Sequence, residues 1–368
     1  MALKIGILTS SRADYGIYQP LLKELSKDSE IEIHLIVFGM HLLKKFGYTI
    51  KQVISDNYGI IHEVDGMPED DSVLSIAQGY GVLIQKFSLF WQNKKFDKVV
   101  ALGDRYEMSA AIQASIPFEI EICHLHGGEI TLGATDNIYR HQITLASKYH
   151  FVSNYEAKSK VIELIGTTEN VYDFGALSLD GIDSIKLPDW EKVANNCGIP
   201  EGPFILVTVH PETVESTLNQ NYVLELEQSL LHICTDYHLL ITMTNADAKG
   251  DLYIKMFKRL KNKFQNQIYL IENFGRLNYF SAINNSKMLL GNTSSGILEA
   301  ASFKRYVVNI GDRQKGRLQS GNVVNVPFRS CEIINAVKDI EKMESFTGAN
   351  FYSKANTALN IKNILTNA

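Results

Sequence analysis

Only four cysteines occur in 368 residues, at positions 123, 197, 234 and 331, and none stands in a CxxC spacing. That scatter excludes a disulfide framework and a cysteine-ligated zinc site, and predicts reduced, buried thiols. The chain also lacks GxxxxGK[ST], a GxGxxG after its first apolar strand, HExxH and GxSxG. These absences argue against a P-loop NTPase, a dinucleotide dehydrogenase, a zinc protease and an α/β-hydrolase. Neither sign of charge dominates, since 36 Lys and Arg against 41 Asp and Glu leave a net −5. No global field therefore draws the chain to nucleic acid or to an anionic membrane, and any phosphate must be held by a local site. No apolar run reaches the roughly 18–20 residues of a membrane span, and residues 3–9 are too short for a signal peptide. The expectation is a cytoplasmic protein with neither a nucleic-acid nor a membrane partner.

What is present is ordinary globular composition, 45% hydrophobic and 21% charged, in a length that suits two domains at about 100–200 residues each. Short β-branched runs at Lys4–Leu8, Glu32–Phe38, Lys98–Leu102 and Ile120–Leu125 read as strands. Between them, 17–27, 72–92 and 106–115 carry helical periodicity. The same βαβ rhythm restarts with strands at Phe204–Val209, Leu239–Met243, Ile268–Ile271, Met288–Leu290 and Tyr306–Ile310. Helices are expected at 220–235, 251–263, 276–285 and 296–302. Gly175 and the polar stretch 183–203 break the pattern, which puts a hinge near residue 175 and predicts domains over 1–174 and 175–354. The fold class is α/β, two doubly wound parallel sheets.

Polar motifs recur directly after strands: Ser10–Asp14, Gly39–His41, Gly103–Arg105, His126–Glu129, His210–Glu212, Asn245–Asp247, Gly291–Gly296 and Gly311–Arg313. Ligands of open parallel sheets bind outside the carboxyl ends of strands, so two facing sheets would gather all eight motifs around one cleft.

Thr293, Ser294 and Ser295 follow a strand and open a helix, where hydroxyls and free backbone N–H groups suit an anion; a plain N-cap uses the same residues. Glu299, one turn on, could accept both ribose hydroxyls or merely face solvent. Asp104, His124, His126, Glu129 and Asp136 form a central cluster. Alternation predicts His124 and His126 on one face of a strand, which fits a metal site less well than acid–base chemistry. Gly127 and Gly128 would let a ligand approach the backbone. Asp104–Arg105 and Asp136–Arg140 could also be surface ion pairs. Arg12 and Arg313 sit in strand-end loops as guanidinium forks for phosphate, and His210 ends a strand.

Taken together the chain resembles the hydrolysing UDP-N-acetylglucosamine 2-epimerases. The resemblance rests on Ser11-Arg12-Ala13-Asp14-Tyr15, Gly39-Met40-His41, Leu102-Gly103-Asp104-Arg105-Tyr106-Glu107, His124-Leu125-His126-Gly127-Gly128-Glu129, Arg140-His141-Gln142-Ile143-Thr144, His210-Pro211-Glu212-Thr213, Asn245-Ala246-Asp247 and Gly311–Arg317, in that order from residue 5 to about 325. It implies a GT-B-like fold with an interdomain nucleotide-sugar cleft, a C-terminal helix near 355–368 packing back on the first domain, and a homodimer or homotetramer. It implies a UDP-sugar substrate, no cofactor and no metal. Thr293, Ser294 and Arg12 would hold the diphosphate, Glu299 the ribose, and Asn245 and Arg313 the nucleotide side, with Ser295 and His41 also on the substrate. Asp104, Asp136 and His210 match positions used at the sugar. Many relatives have Glu where this chain has His126, so His126, Glu129 and Asp136 all stand as candidates for the base at C2. The alternative sugar is a UDP-2,4-diacetamido-2,4,6-trideoxy sugar, and a GT-B glycosyltransferase would share fold and cleft.

Overall fold

The computed structural model describes residues 2–70, 72–132, 135–214, 216–243, 249–272 and 274–367. They divide into two units, the first made of Met1–Glu129, Asp136–Gly181 and Tyr352–Ala368, the second of Ile130–Thr135 and Ile182–Phe351.

The first unit runs β1 (Leu3–Thr9), α1 (Arg12–Leu25), β2 (Ile31–Phe38), α2 (Ile50–Asp56), β3 (Ile60–Val64), α3 (Val73–Asn93) and β4 (Lys98–Leu102). It continues α4 (Tyr106–Ser115), β5 (Ile122–Leu125), α5 (Asp136–Leu145), β6 (Tyr149–Val152), α6 (Tyr155–Ile165) and β7 (Val171–Asp173). The strands form one sheet in the order β3-β2-β1-β4-β5-β6-β7, every pair parallel. Strands buried on both faces need apolar side chains throughout, which is why Ile5, Ile7, Leu8, Leu35, Ile36, Val99 and Val100 are all inaccessible to solvent.

The second unit runs α7 (Trp190–Asn196), β8 (Phe204–Thr208), α8 (Asn219–Ile233), β9 (His238–Thr242), α9 (Gly250–Lys263), β10 (Ile268–Ile271) and α10 (Arg276–Asn285). Then come β11 (Leu289–Gly291), α11 (Ser294–Leu298), β12 (Val307–Ile310), β13 (Val323–Val326) and α12 (Ser330–Glu341). The sheet order is β10-β9-β8-β11-β12-β13, again parallel. In both sheets the order reverses beside the first strand of the unit, between β1 and β4 and between β8 and β11, which opens a crevice at the strand carboxyl ends.

The last helix, α13 (Thr357–Asn367), returns to the first unit. Ala358, Ile361 and Leu365 join a core with Tyr15, Tyr18, Leu22 and Leu25 of α1, and buried Lys98 donates to the Leu365 carbonyl at 3.0 Å. This return explains the break at Gly175. Its φ is +83°, and a Cβ there would meet the Tyr352 carbonyl oxygen at 2.9 Å. The glycine thus seats the returning segment, and the division of the chain falls later, between Gly181 and Ile182.

Two expectations need correction. By length and composition α3 is long and apolar enough to cross a membrane. It carries a single charge, Lys86, and buries Gly79, Leu83, Phe87 and Trp91 as an i, i+4 stripe, the last three packed with Leu8, Ile36, Phe38 and Val99 of the sheet. The cysteines are not uniformly buried either: Cys123 and Cys234 are, Cys197 is half-buried and Cys331 is exposed.

His124 and His150 are register partners on β5 and β6, both buried. Burial drives the proton affinity of His124 down to about 3, with the neighbouring His150 acting the same way and a hydrogen bond to the Gly103 carbonyl opposing. Burial takes His150 to about 4. Unfolding restores both to about 6.5, so below that pH the unfolded chain binds protons that the folded one refuses. Stability should therefore fall as pH drops from about 6.5 toward 4, by about 1.4 kcal/mol per pH unit for each ring. Urea midpoints at pH 7 and pH 5 should differ clearly in the parent and less in His150→Leu; equal differences would remove His150 from the acid sensitivity.

Candidate functional site

At the carboxyl end of β1, Ser11 caps α1 and forms a capping box with Asp14. The Asp14 carboxylate also accepts from Thr9 Oγ1 at 2.6 Å, the Ser10 amide at 2.8 Å and Ser10 Oγ at 2.9 Å. These bonds hold the loop so that Arg12, the first residue of α1, starts at the β1/β4 crevice. His41 lies beside it and is buried. Its Nε2 pairs with Thr9 Oγ1 at 3.0 Å and its Nδ1 with Thr49 Oγ1 at 2.7 Å. Burial lowers its proton affinity against the pull of Asp14. With both nitrogens engaged within the protein, this ring braces the loop after β2.

At the ends of β4 and β5 the central element is Arg140 of α5, whose guanidinium is wholly buried. It donates to the Asp104 carboxylate, to the Glu129 carbonyl and, at 2.6 Å, to Asn137 Oδ1. Arg140 thus pairs with Asp104, and Arg105 pairs with the fully buried Glu107. Asp136, one turn before Arg140, begins the same helix.

His124 and His126 do not share a face as strand alternation predicts, because β5 ends at Leu125 and His126 turns to φ +62°. A non-glycine residue there is strained and held by its surroundings. His124 spends its ring on Thr144 Oγ1 (3.1 Å) and the Gly103 carbonyl (2.8 Å). His126 Nδ1 meets Glu129 Oε1 at 3.0 Å, and its Nε2 is buried with no hydrogen-bond partner. The two glycines between them serve protein packing: a Cβ on Gly127 would meet the His124 ring at 2.9 Å, and one on Gly128 the Ala157 carbonyl oxygen at 2.2 Å. That close approach carries Glu129 to the start of α6, where Ser153 Oγ donates to its Oε1 at 2.7 Å.

In the second unit, the Asn292 side chain crosses the β8/β11 crevice, accepting from the His210 amide at 2.7 Å and donating to the His210 carbonyl at 2.9 Å. Arg313 donates to the Pro211 carbonyl at 2.7 Å, and Glu212 accepts the Asp312 amide at 2.6 Å. Burial raises the proton affinity of Glu212, opposed by that amide and by Arg313. Thr293 caps α11, followed by Ser294 and Ser295. Ser295 Oγ donates to Glu299, which is 8% exposed. Tyr279 lies beneath, its hydroxyl pushed up to about 12 by burial while hydrogen bonds to Ser295 and Thr208 oppose the shift. Asn245 lies outside the described residues.

Within the first unit the fold thus joins His126 to Glu129, and Asp104 to Glu129 through Arg140. Within the second it joins Arg313 to the His210 loop and Ser295 to Glu299. Sequence reasoning missed Ser153 and Tyr279, and gave Asn292 no role of its own within the Gly291–Gly296 motif. Ser153 follows a strand as every other motif does, but β6, four residues long and containing His150, carries too weak a signal to be read. Among the described residues, no group of three or more His, Cys, Asp or Glu could hold a metal ion.

Comparison with known proteins identifies the family. The family pattern described as UDP-N-acetylglucosamine 2-epimerase matches residues 23–366. The polysialic acid biosynthesis protein P7 of Escherichia coli is 34% identical, over 98% of this chain and 93% of its own. A GDP/UDP-N,N'-diacetylbacillosamine 2-epimerase (hydrolyzing) of Campylobacter jejuni is 32% identical, over 93% of this chain and 88% of its own. In fold, the crystal structure of the Neisseria meningitidis UDP-GlcNAc 2-epimerase bound to UDP-GlcNAc superposes with a TM-score of 0.81, at 18% identity, over 99% of this chain and 100% of that one. Two parallel sheets with their strand-end loops, matched along nearly their whole length, give the conclusion that this chain belongs to the UDP-N-acetylglucosamine 2-epimerase family of hydrolysing enzymes, with their GT-B-like fold.

Proposed function

We propose that the protein converts UDP-GlcNAc and water to N-acetylmannosamine and UDP, for sialic-acid synthesis. The observation that carries this reading is the 34% identity, along 98% of the chain, to a protein named for polysialic acid biosynthesis.

The chemistry is an elimination followed by a hydration. The C2 proton of the sugar is not acidic, so its removal needs a base at C2 while C1 becomes positive and the diphosphate leaves. The products are UDP and a 2-acetamidoglucal; water then adds at C1 and a proton returns to C2 from the opposite face. For the base we assign His126. Its Nδ1 lies against Glu129, so the ring's remaining lone pair is on Nε2, a buried atom with no partner. Asp104, Asp136 and His210 are assigned to the sugar, with Asp104 positioned by Arg140. Arg12, Thr293, Ser294 and Ser295 are assigned to the diphosphate, Glu299 to the ribose, and Asn245 and Arg313 to the nucleotide. The geometry of His41 supports a bracing role beside the substrate.

A second reading keeps the reaction and changes the sugar to a UDP-2,4-diacetamido-2,4,6-trideoxyhexose. It is favoured by the 32% identity to the Campylobacter enzyme, named for a diacetylbacillosamine nucleotide. Incubating the protein with each UDP-sugar in deuterated water should yield N-acetylmannosamine carrying deuterium at C2, with slower turnover of the trideoxy sugar. A product that keeps its C2 proton would refute the elimination, and faster turnover of the trideoxy sugar would transfer the assignment to the second reading.

Glu299 is nearly buried at the end of a five-residue helix, and Ser295 holds one of its oxygens. A charge-assisted pair of hydrogen bonds to ribose is worth roughly 1.5–3 kcal/mol, so Glu299→Ala should weaken UDP binding by more than about tenfold. Isothermal calorimetry showing unchanged affinity would make Glu299 a partner of Ser295 alone.

A further inference from the structure

Ser153 and Asn154 stand between β6 and α6, both buried. Asn154 is the N-cap of α6: its Oδ1 accepts the Ala157 amide at 2.9 Å. That bond fixes the orientation of its carboxamide, so Nδ2 is the group turned to Ser153, and it donates to Ser153 Oγ at 3.2 Å. The serine hydroxyl, with a lone pair so occupied, directs its own hydrogen to Glu129 Oε1 at 2.7 Å. Glu129 Oε1 in turn faces His126 Nδ1 at 3.0 Å. Each link has one donor and one acceptor, and the direction is set at the helix cap, where a backbone amide can only donate.

We propose that Ser153 and Asn154 are positioning residues: with Glu129 they form a one-way relay that fixes the proton of neutral His126 on Nδ1 and leaves Nε2 as the acceptor. Three features converge on that atom. It is a buried nitrogen without a partner, it belongs to a residue held at positive φ, and it lies at the carboxyl end of a central parallel strand. A neutral imidazole free in water places its proton on either nitrogen; a carboxylate held in place at Nδ1 selects one. Without Ser153, Glu129 loses a donor and its grip on His126 loosens.

The placing of the proton does not depend on the epimerase reading; the kinetic consequence does. The test is nitrogen NMR of the full chain with 15N-labelled histidine at about pH 8.5, above the usual imidazole range, with His126 identified by its loss in His126→Gln. The parent should show a protonated Nδ1 and a bare Nε2. Ser153→Ala should mix the two tautomers and lower kcat for UDP release by about tenfold while KM stays within about twofold, as expected for loss of a hydrogen bond to a charged group. Asn154→Asp keeps the helix cap but offers Ser153 a competing acceptor, and should mix the tautomers as well. A parent with its proton on Nε2, or a Ser153→Ala protein with parental tautomer and parental kcat, overturns the relay. If the parent hydrolyses no UDP-sugar at all, the epimerase reading fails and the nitrogen shifts still decide the relay.

Discussion

The buried cation Arg140 organises the loops at the carboxyl ends of β4 and β5 in the first unit. Arg140 is sealed from solvent, and a guanidinium cannot shed its charge in a protein, so its surroundings must supply acceptors. They are the carboxylate of Asp104 after β4, the carbonyl of Glu129 after β5 and the amide of Asn137 on its own helix. Three chain segments are thereby fixed to one rigid planar group. Breaking a buried pair of this kind typically costs about 3–5 kcal/mol, because the abandoned charge has no water to turn to. The positions of Asp104 and of the loop from His126 to Glu129 thus follow from the need to neutralise Arg140, as much as from any demand of a substrate.

Other polar groups repeat this economy. In the first unit Asp14 gathers the loop after β1, and in the second Asn292 ties the loop after β8 to the end of β11. In each case a short side chain occupies the crevice where strand order reverses and satisfies backbone groups that no strand can reach. Arg12 and His210 lie at these two loops, whose backbone groups already have their partners in place.

Much of this was legible in the chain. The long apolar strands near the centre of each sheet, β1, β2, β4, β8 and β9, stand out because burial on two faces demands an unbroken apolar run. The motifs at strand ends were readable for the same reason, as the first polar residues after such runs. The edge strand β10 and the three-residue β11 were read as well, but other edge and short strands were not: β3 exposes Ile60 and carries His62 and Glu63, β7 has three residues, and β13 is only partly buried. Among the site residues, proximity in sequence did not suggest that Arg140 reaches Asp104 from 36 residues away. Strand alternation put His124 and His126 on one face, and a left-handed backbone at His126 undid it. Glycines at 127 and 128 suggested room for a ligand, yet the space they leave is taken by a histidine ring and by α6. Patterns along the chain report the period of an element; they do not report which distant group a buried charge will select.

The return of α13 has a consequence for the order in which this molecule can be made. Thr357 Oγ1 donates to the Phe174 carbonyl across 183 residues of chain, and Ala358, Ile361 and Leu365 complete the core around α1. A ribosome therefore finishes every strand of the first unit long before the helix that closes its core exists. Until then the apolar side of α1 stands open while the second unit, whose strands and helices are contiguous from Ile182 onward, emerges and folds. The unit begun first is the last to be sealed, and in that interval the nascent chain has its greatest exposure to aggregation and its clearest use for a chaperone.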